Sequence, residues 1–92
     1  MAQQMVVREL TKDELKDYDE AFLQKIEVSE IANLTLPPTC SSGHGWCENG
    51  RCYVCCSNQW FRLVDENGNH YTCAQGRGKR YSCGATYYVA TC

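Results

Sequence analysis

All eight cysteines of this 92-residue chain lie between Cys40 and Cys92, and the first 39 residues hold none. The seven glycines follow the same division. A stretch of 53 residues with eight cysteines exceeds the roughly 8–10% that marks a disulfide scaffold. So short a domain buries too little surface to hold itself together comfortably. Four bridges, at about 2–4 kcal/mol each, would supply most of the margin. The sequence therefore divides into an acidic N-terminal segment, 1–39, and a disulfide-rich domain, 40–92.

The charge divides in the same way. The total is −2, from 9 basic and 11 acidic side chains, but residues 1–39 carry −4 and residues 40–92 carry +2. Neither half has the strong positive field of a nucleic-acid binder. No apolar run reaches the 18 or so residues of a membrane-spanning helix. Nor do the first ten residues contain the apolar core of a secretory signal. A secreted protein is still the expectation from the cysteines, through a signal outside this sequence or by another route. The remaining option is a reduced, metal-binding chain.

Residues 11–32 are expected to form an amphipathic α-helix. Thr11 and Glu14 have capping-box spacing, and Leu10 precedes them as a staple residue. Leu15, Tyr18, Phe22 and Ile26 recur at three- and four-residue intervals and make one apolar stripe. That stripe would either pack on the cysteine-rich half or be read by a processing enzyme or transporter as the recognition face of a leader. Pro37-Pro38 cannot continue a helix and would mark the boundary.

In the second half, Gln59–Val64 is rich in β-formers, and Asn67-Gly68 is a strong turn signal. His70–Ala74 is expected to return as the partner strand. After a turn at 75–78, Lys79–Cys83 and Thr86–Cys92 read as two more strands. The fold class expected is a small, disulfide-rich, mainly β domain with a three- to four-stranded antiparallel sheet, preceded by the helix. The cysteines are Cys40, Cys47, Cys52, Cys55, Cys56, Cys73, Cys83 and Cys92, and eight allow 105 pairings. A bridge between the adjacent Cys55 and Cys56 is strained. One is expected to bond back towards the loop between Cys40 and Cys52, the other forward to the later strands. Cys92 would pin the last residue or cross-link to a second chain.

Zinc is the competing explanation. Cys52 and Cys55 have ligand spacing, and Cys47, His44 and His70 could complete a set, but no second matched pair follows. No catalytic residue is expected, because neither histidine stands in a nucleophile motif. No cofactor is expected either. One basic cluster stands out, Arg77, Lys79 and Arg80. With Trp60, Tyr87 and Tyr88 it is the candidate binding surface, cations for an anionic target and aromatics for apolar contact.

The layout resembles a bacterial ribosomally made, bacteriocin-like peptide precursor, an acidic leader such as Arg8-Glu9-Leu10-Thr11-Lys12-Asp13-Glu14-Leu15 followed by a cysteine-rich core. Cys40-Ser41-Ser42-Gly43-His44-Gly45-Trp46-Cys47 resembles the opening of β-defensin-like peptides. The resemblance implies a secreted antimicrobial or toxin-like peptide that binds a target cell surface or protein. The alternative is a small cysteine-rich interaction or structural protein (effector, inhibitor or surface-assembly subunit) that keeps its helix as part of the fold. A zinc-binding module is the third reading.

Overall fold

The computed structural model describes residues 3–11 and 20–91. They form seven strands: β1 (Gln3–Glu9), β2 (Glu20–Lys25), β3 (His44–Glu48), β4 (Arg51–Cys56), β5 (Gln59–Val64), β6 (Arg80–Cys83) and β7 (Thr86–Thr91). Two one-turn helices, α1 (Val28–Ile31) and α2 (Cys73–Gly76), lie between them. The strand order is β1-β3-β4-β5-β2-β6-β7, and β7 pairs back onto β1 to close a barrel. Every strand therefore has two neighbours, which removes the exposed edges that make sheets sticky. All pairs are antiparallel except β2 with β6.

The expected N-terminal amphipathic helix is not found among the described residues. Among the described residues of the stretch 11–32, helix is confined to α1, and Glu20–Lys25 is strand β2. Leu15 and Tyr18 lie outside the described residues. In β2 the burial follows a strand period: Ala21 is buried and Leu23 half-buried, whereas Phe22 is 48% exposed. An i, i+4 repeat has even spacing, so it fits one face of a strand as well as a helical stripe. Pairing of β2 to β5 and β6 decided between them. The sheet is also larger than the three or four strands expected, because β1 and β2 from the first 39 residues join it and β3 and β4 add a hairpin.

That β3–β4 hairpin turns at Asn49-Gly50, both with positive φ (54° and 75°). Such a turn matches the twist of the flanking strands and suits Asn-Gly. The expected hairpin after β5 forms only in part. Asp65 Oδ1 accepts the backbone N–H groups of Asn67 and Asn69 at 2.9 and 2.8 Å. The return pairs at a single bridge, Val64 with His70. Thr72 then caps α2, with a reciprocal capping box to Gln75. That motif stands in the sequence as Thr72-Cys73-Ala74-Gln75, the T-x-x-Q spacing.

Inside the barrel, Ala21, Cys52, Val54, Leu63 and Tyr81 form the core cluster. Tyr88 packs against it, its ring stacked on Tyr81 at 5.6 Å. Burial pushes the Tyr81 hydroxyl well above the ordinary phenol value. β4 breaks the usual alternation: Cys52, Tyr53, Val54 and Cys55 are all buried. Successive side chains point to opposite faces, so something must cover the outer face as well. That cover is the segment 26–43, which runs from β2 to β3 and carries α1.

Three disulfides occur among the described residues: Cys40–Cys55, Cys47–Cys73 and Cys56–Cys83. Cys55 bonds backward and Cys56 forward, the two directions expected of neighbours on opposite faces of a strand. Cys52 is fully buried in the core, and Cys92 lies outside the described residues.

Helix α2 seals one side of the core through Gly76. A methyl group built there would lie 2.8 Å from Cys52 Sγ and 3.2 Å from its Cβ. Overpacking of this kind typically costs 1–3 kcal/mol. Gly76→Ala is therefore expected to lower the stability of the oxidised protein by about that amount, although Ala is the better helix former. Chemical denaturation checks it, and an unchanged or raised midpoint would contradict the packing.

Candidate functional site

Cross-strand register sets a row of side chains on the outer face. Trp46 on β3 opposes Tyr53 on β4, Tyr53 opposes Arg62 on β5, and Arg62 opposes Gln24 on β2. The segment 26–43 crosses this row and is fastened along its length. Tyr53 Oη donates to Glu30 at 2.8 Å. The Thr35 backbone and hydroxyl donate to Glu48. Trp60 Nε1 donates to the Pro37 carbonyl at 3.1 Å, and Cys40 is bonded to Cys55. Pro37-Pro38 thus lies within a pinned strap across the barrel.

On one side of α1 a polar cluster gathers. Glu30 Oε1 receives Arg51 Nη1 at 3.1 Å and Tyr53 Oη at 2.8 Å, with Arg62 Nη1 at 3.7 Å. Arg62 is 7% exposed, and its guanidinium lies over the Tyr53 ring. Its Nη1 is 2.8 Å from His70 Nδ1. Because a guanidinium only donates, Nδ1 accepts, and the ring proton sits on Nε2, which donates to Gln24 Oε1. Burial, and then the bond to Glu30, raise the Tyr53 hydroxyl above its ordinary value, so it remains a donor. Glu30, Arg51, Arg62 and His70 border a cavity of about 370 Å³.

On the other side of α1 the walls turn apolar. Ile26, Ile31, Leu36, Pro37, Pro38 and Trp60 line a cavity of about 300 Å³. A second of about 220 Å³ continues it past Pro37 and Trp60 to Trp46 and His44. Both indole N–H groups are engaged at the groove's margin, Trp60 by Pro37 and Trp46 by Glu48 at 3.0 Å. Ile31 is 47% exposed. Lys25 is the one formal charge on these walls among the described residues.

The residues expected to form a binding surface are scattered. Trp60 lies in the groove. Arg80 pairs with Glu20 at the far end of β2, whereas Trp60 precedes the partner of Lys25 at the near end. Along the sheet that is roughly 20 Å at 3.3 Å per residue. Lys79 sits over the Tyr71 ring and borders a cavity shared with Glu20, Asp65 and Glu66. Arg77 is exposed at the end of α2. Tyr88 turns inward against Tyr81, and the Tyr87 carbonyl accepts the Leu10 backbone N–H at 2.8 Å.

Of the leader positions that are described, Phe22 lies on β2 and Ile26 is buried at the base of the strap. Of the residues considered for zinc, Cys47 and Cys55 are in disulfides. No group of three potential metal ligands comes together among the described residues. No helix among them is long and apolar enough to cross a membrane. Arg62, Glu30 and Trp46 were not singled out from the sequence as site residues. The signal for Arg62 was present, a cation in the middle of the apolar run Trp60-Phe61-Arg62-Leu63-Val64. Compared with protein-family models, curated proteins and solved structures, the chain matches none.

Glu48 anchors both the strap and Trp46, and it is 6% exposed. The Thr35 hydroxyl, at 2.6 Å, is the main cause of a carboxyl held below its ordinary range, and Trp46 adds to it. A lowered folded pKa means stability that is present above the unfolded value and lost as pH falls through the folded one. Glu48→Gln is expected to be less stable than the native protein at neutral pH. The gap should begin to narrow below about pH 4, where the carboxylate of the unfolded chain protonates, and close as pH falls through the lowered folded value. Melting temperatures from pH 2 to 7 check this, and a gap constant with pH would contradict it.

Proposed function

We propose that this chain is a secreted, disulfide-stabilised interaction protein of the effector or inhibitor kind. It acts by binding and uses residues 1–39 as part of its working fold. The groove of Trp46, Pro37 and Trp60 carries this reading. Large aromatic side chains in a preformed apolar cleft are the usual anchors of protein–protein contacts. Their indole N–H groups are already bonded, so the rings are oriented before a partner arrives and little ordering is lost on binding. The occupant is an extended, apolar segment of a protein partner. The groove consists of two adjoining cavities of about 300 and 220 Å³ that share Pro37 and Trp60, and among the described residues it is nearly uncharged.

Disulfides at this density are typical of oxidising compartments, which supports secretion. Retention of the N-terminal segment is supported by its two strands, since removing β1 and β2 would split the barrel into a three-stranded piece, β3-β4-β5, and a separate hairpin, β6-β7. Contact with an anionic surface has less support. Lys79 shares a cavity with Glu20, Asp65 and Glu66, and Arg80 pairs with Glu20 at the end of β2 away from Trp60.

Selection of displayed peptides on the oxidised full chain tests the reading. Enriched sequences should be extended and apolar, and Trp60→Ala should weaken them by about 2 kcal/mol or more while leaving the far-ultraviolet spectrum intact. Failure to enrich any sequence would overturn the reading. So would peptides indifferent to Trp60→Ala but lost on replacing Lys79 and Arg80.

A further inference from the structure

Arg62 is a cation between apolar neighbours on strand β5, Phe61 and Leu63, and it is nine-tenths buried. A buried charge must be neutralised and its donors used. Here neither requirement is fully met. Arg62 and Arg51 share one carboxylate, and both approach the same atom, Glu30 Oε1. His70 Nδ1 accepts from Arg62 and brings no negative charge. Arg62 Nη2 reaches the Tyr71 carbonyl at 3.4 Å, and Nε is buried without a hydrogen-bond partner among the described residues. Two guanidiniums against one carboxylate leave the cluster one positive charge in excess.

The cluster opens onto the cavity of about 370 Å³ on the side of α1 away from the tryptophan groove. That is roughly twelve times the volume per molecule of liquid water. Ser29, Asn33 and Asn49 add polar groups to its wall, and Leu34 adds an apolar one. Guanidinium forks are the groups best matched to a carboxylate. Glu30 displays the chemistry already, as a carboxylate from the strap lying among Arg51, Arg62 and Tyr53.

We propose that this cavity is a binding site for a small monocarboxylate ligand. Arg51 and Arg62 recognise the ligand's carboxylate, and Glu30 is an internal stand-in that competes for the same donors. One further negative charge balances the cluster. The tail of the ligand lies along Leu34 and the aliphatic stems of the arginines. This site is separate from the groove of the proposed function and does not depend on it.

Hexanoate serves as the probe, titrated into the oxidised full chain at constant ionic strength and followed by amide chemical shifts. Saturable shifts are expected around residues 29–34, 49–53, 62 and 70. Glu30→Gln removes the competitor and keeps its hydrogen-bonding shape, so affinity should rise about tenfold. Arg51→Gln should lower it at least about tenfold. The Arg51 side chain is 52% exposed, so that variant is expected to fold. Three results would overturn the proposal: no saturation with either the native chain or Glu30→Gln, equal binding of hexanol, or an affinity that Glu30→Gln leaves unchanged or lowers. Stronger binding of inorganic phosphate than of hexanoate would also overturn it, in favour of a dianion site.

Discussion

Each of the three described disulfides has an end on the β3–β4 hairpin, at Cys47, Cys55 or Cys56. From there they tie down the strap at Cys40, helix α2 at Cys73 and strand β6 at Cys83. The hairpin is thus the fixed body to which three otherwise separate parts are attached. The bridges span 15, 26 and 27 residues of sequence, so each removes a substantial loop from the unfolded ensemble. A chain of this size needs such restraints, because its core cluster is only a handful of buried side chains.

Closure of the barrel and closure by the strap are two answers to one problem. Backbone groups at a sheet edge must be satisfied, and β7 pairing with β1 does this. The outer face of β4 and β5 carries Tyr53, Cys55 and Arg62, which are not residues for open solvent. The strap covers them and brings its own carboxylate, hydroxyl, carbonyl and cysteine as partners. The polar cluster and the tryptophan groove are the two flanks of that cover, one on each side of α1. Both candidate sites therefore arise from how the strap crosses the sheet.

Much of the cysteine-rich half was legible in the sequence. β-forming runs marked β5, β6 and β7, and Asn67-Gly68 marked a turn, although the strand expected after it pairs only at a single bridge. The geometric argument about Cys55 and Cys56 led to the right directions. The N-terminal half was misread for a physical reason. Phe22 and Ile26 share a face in a helix, but equally in a strand, and the choice rested on pairing with β5 and β6, both far away in sequence. A clean boundary at Pro37-Pro38 looked like a linker, yet Pro37 accepts a hydrogen bond from Trp60 and lies two residues after Thr35, which grips Glu48. Of the residues read as a binding surface, Arg80 and Trp60 are both near β2, but at opposite ends of it.

The hairpin's role as the common anchor is tested most directly by mapping the disulfides of the native protein, digested without reduction and fragmented between Cys55 and Cys56. The expected bridges are Cys40–Cys55, Cys47–Cys73 and Cys56–Cys83. Linkage of Cys40 to Cys56, or of Cys73 to Cys83, would detach the strap or the later strands from their observed places and contradict the account.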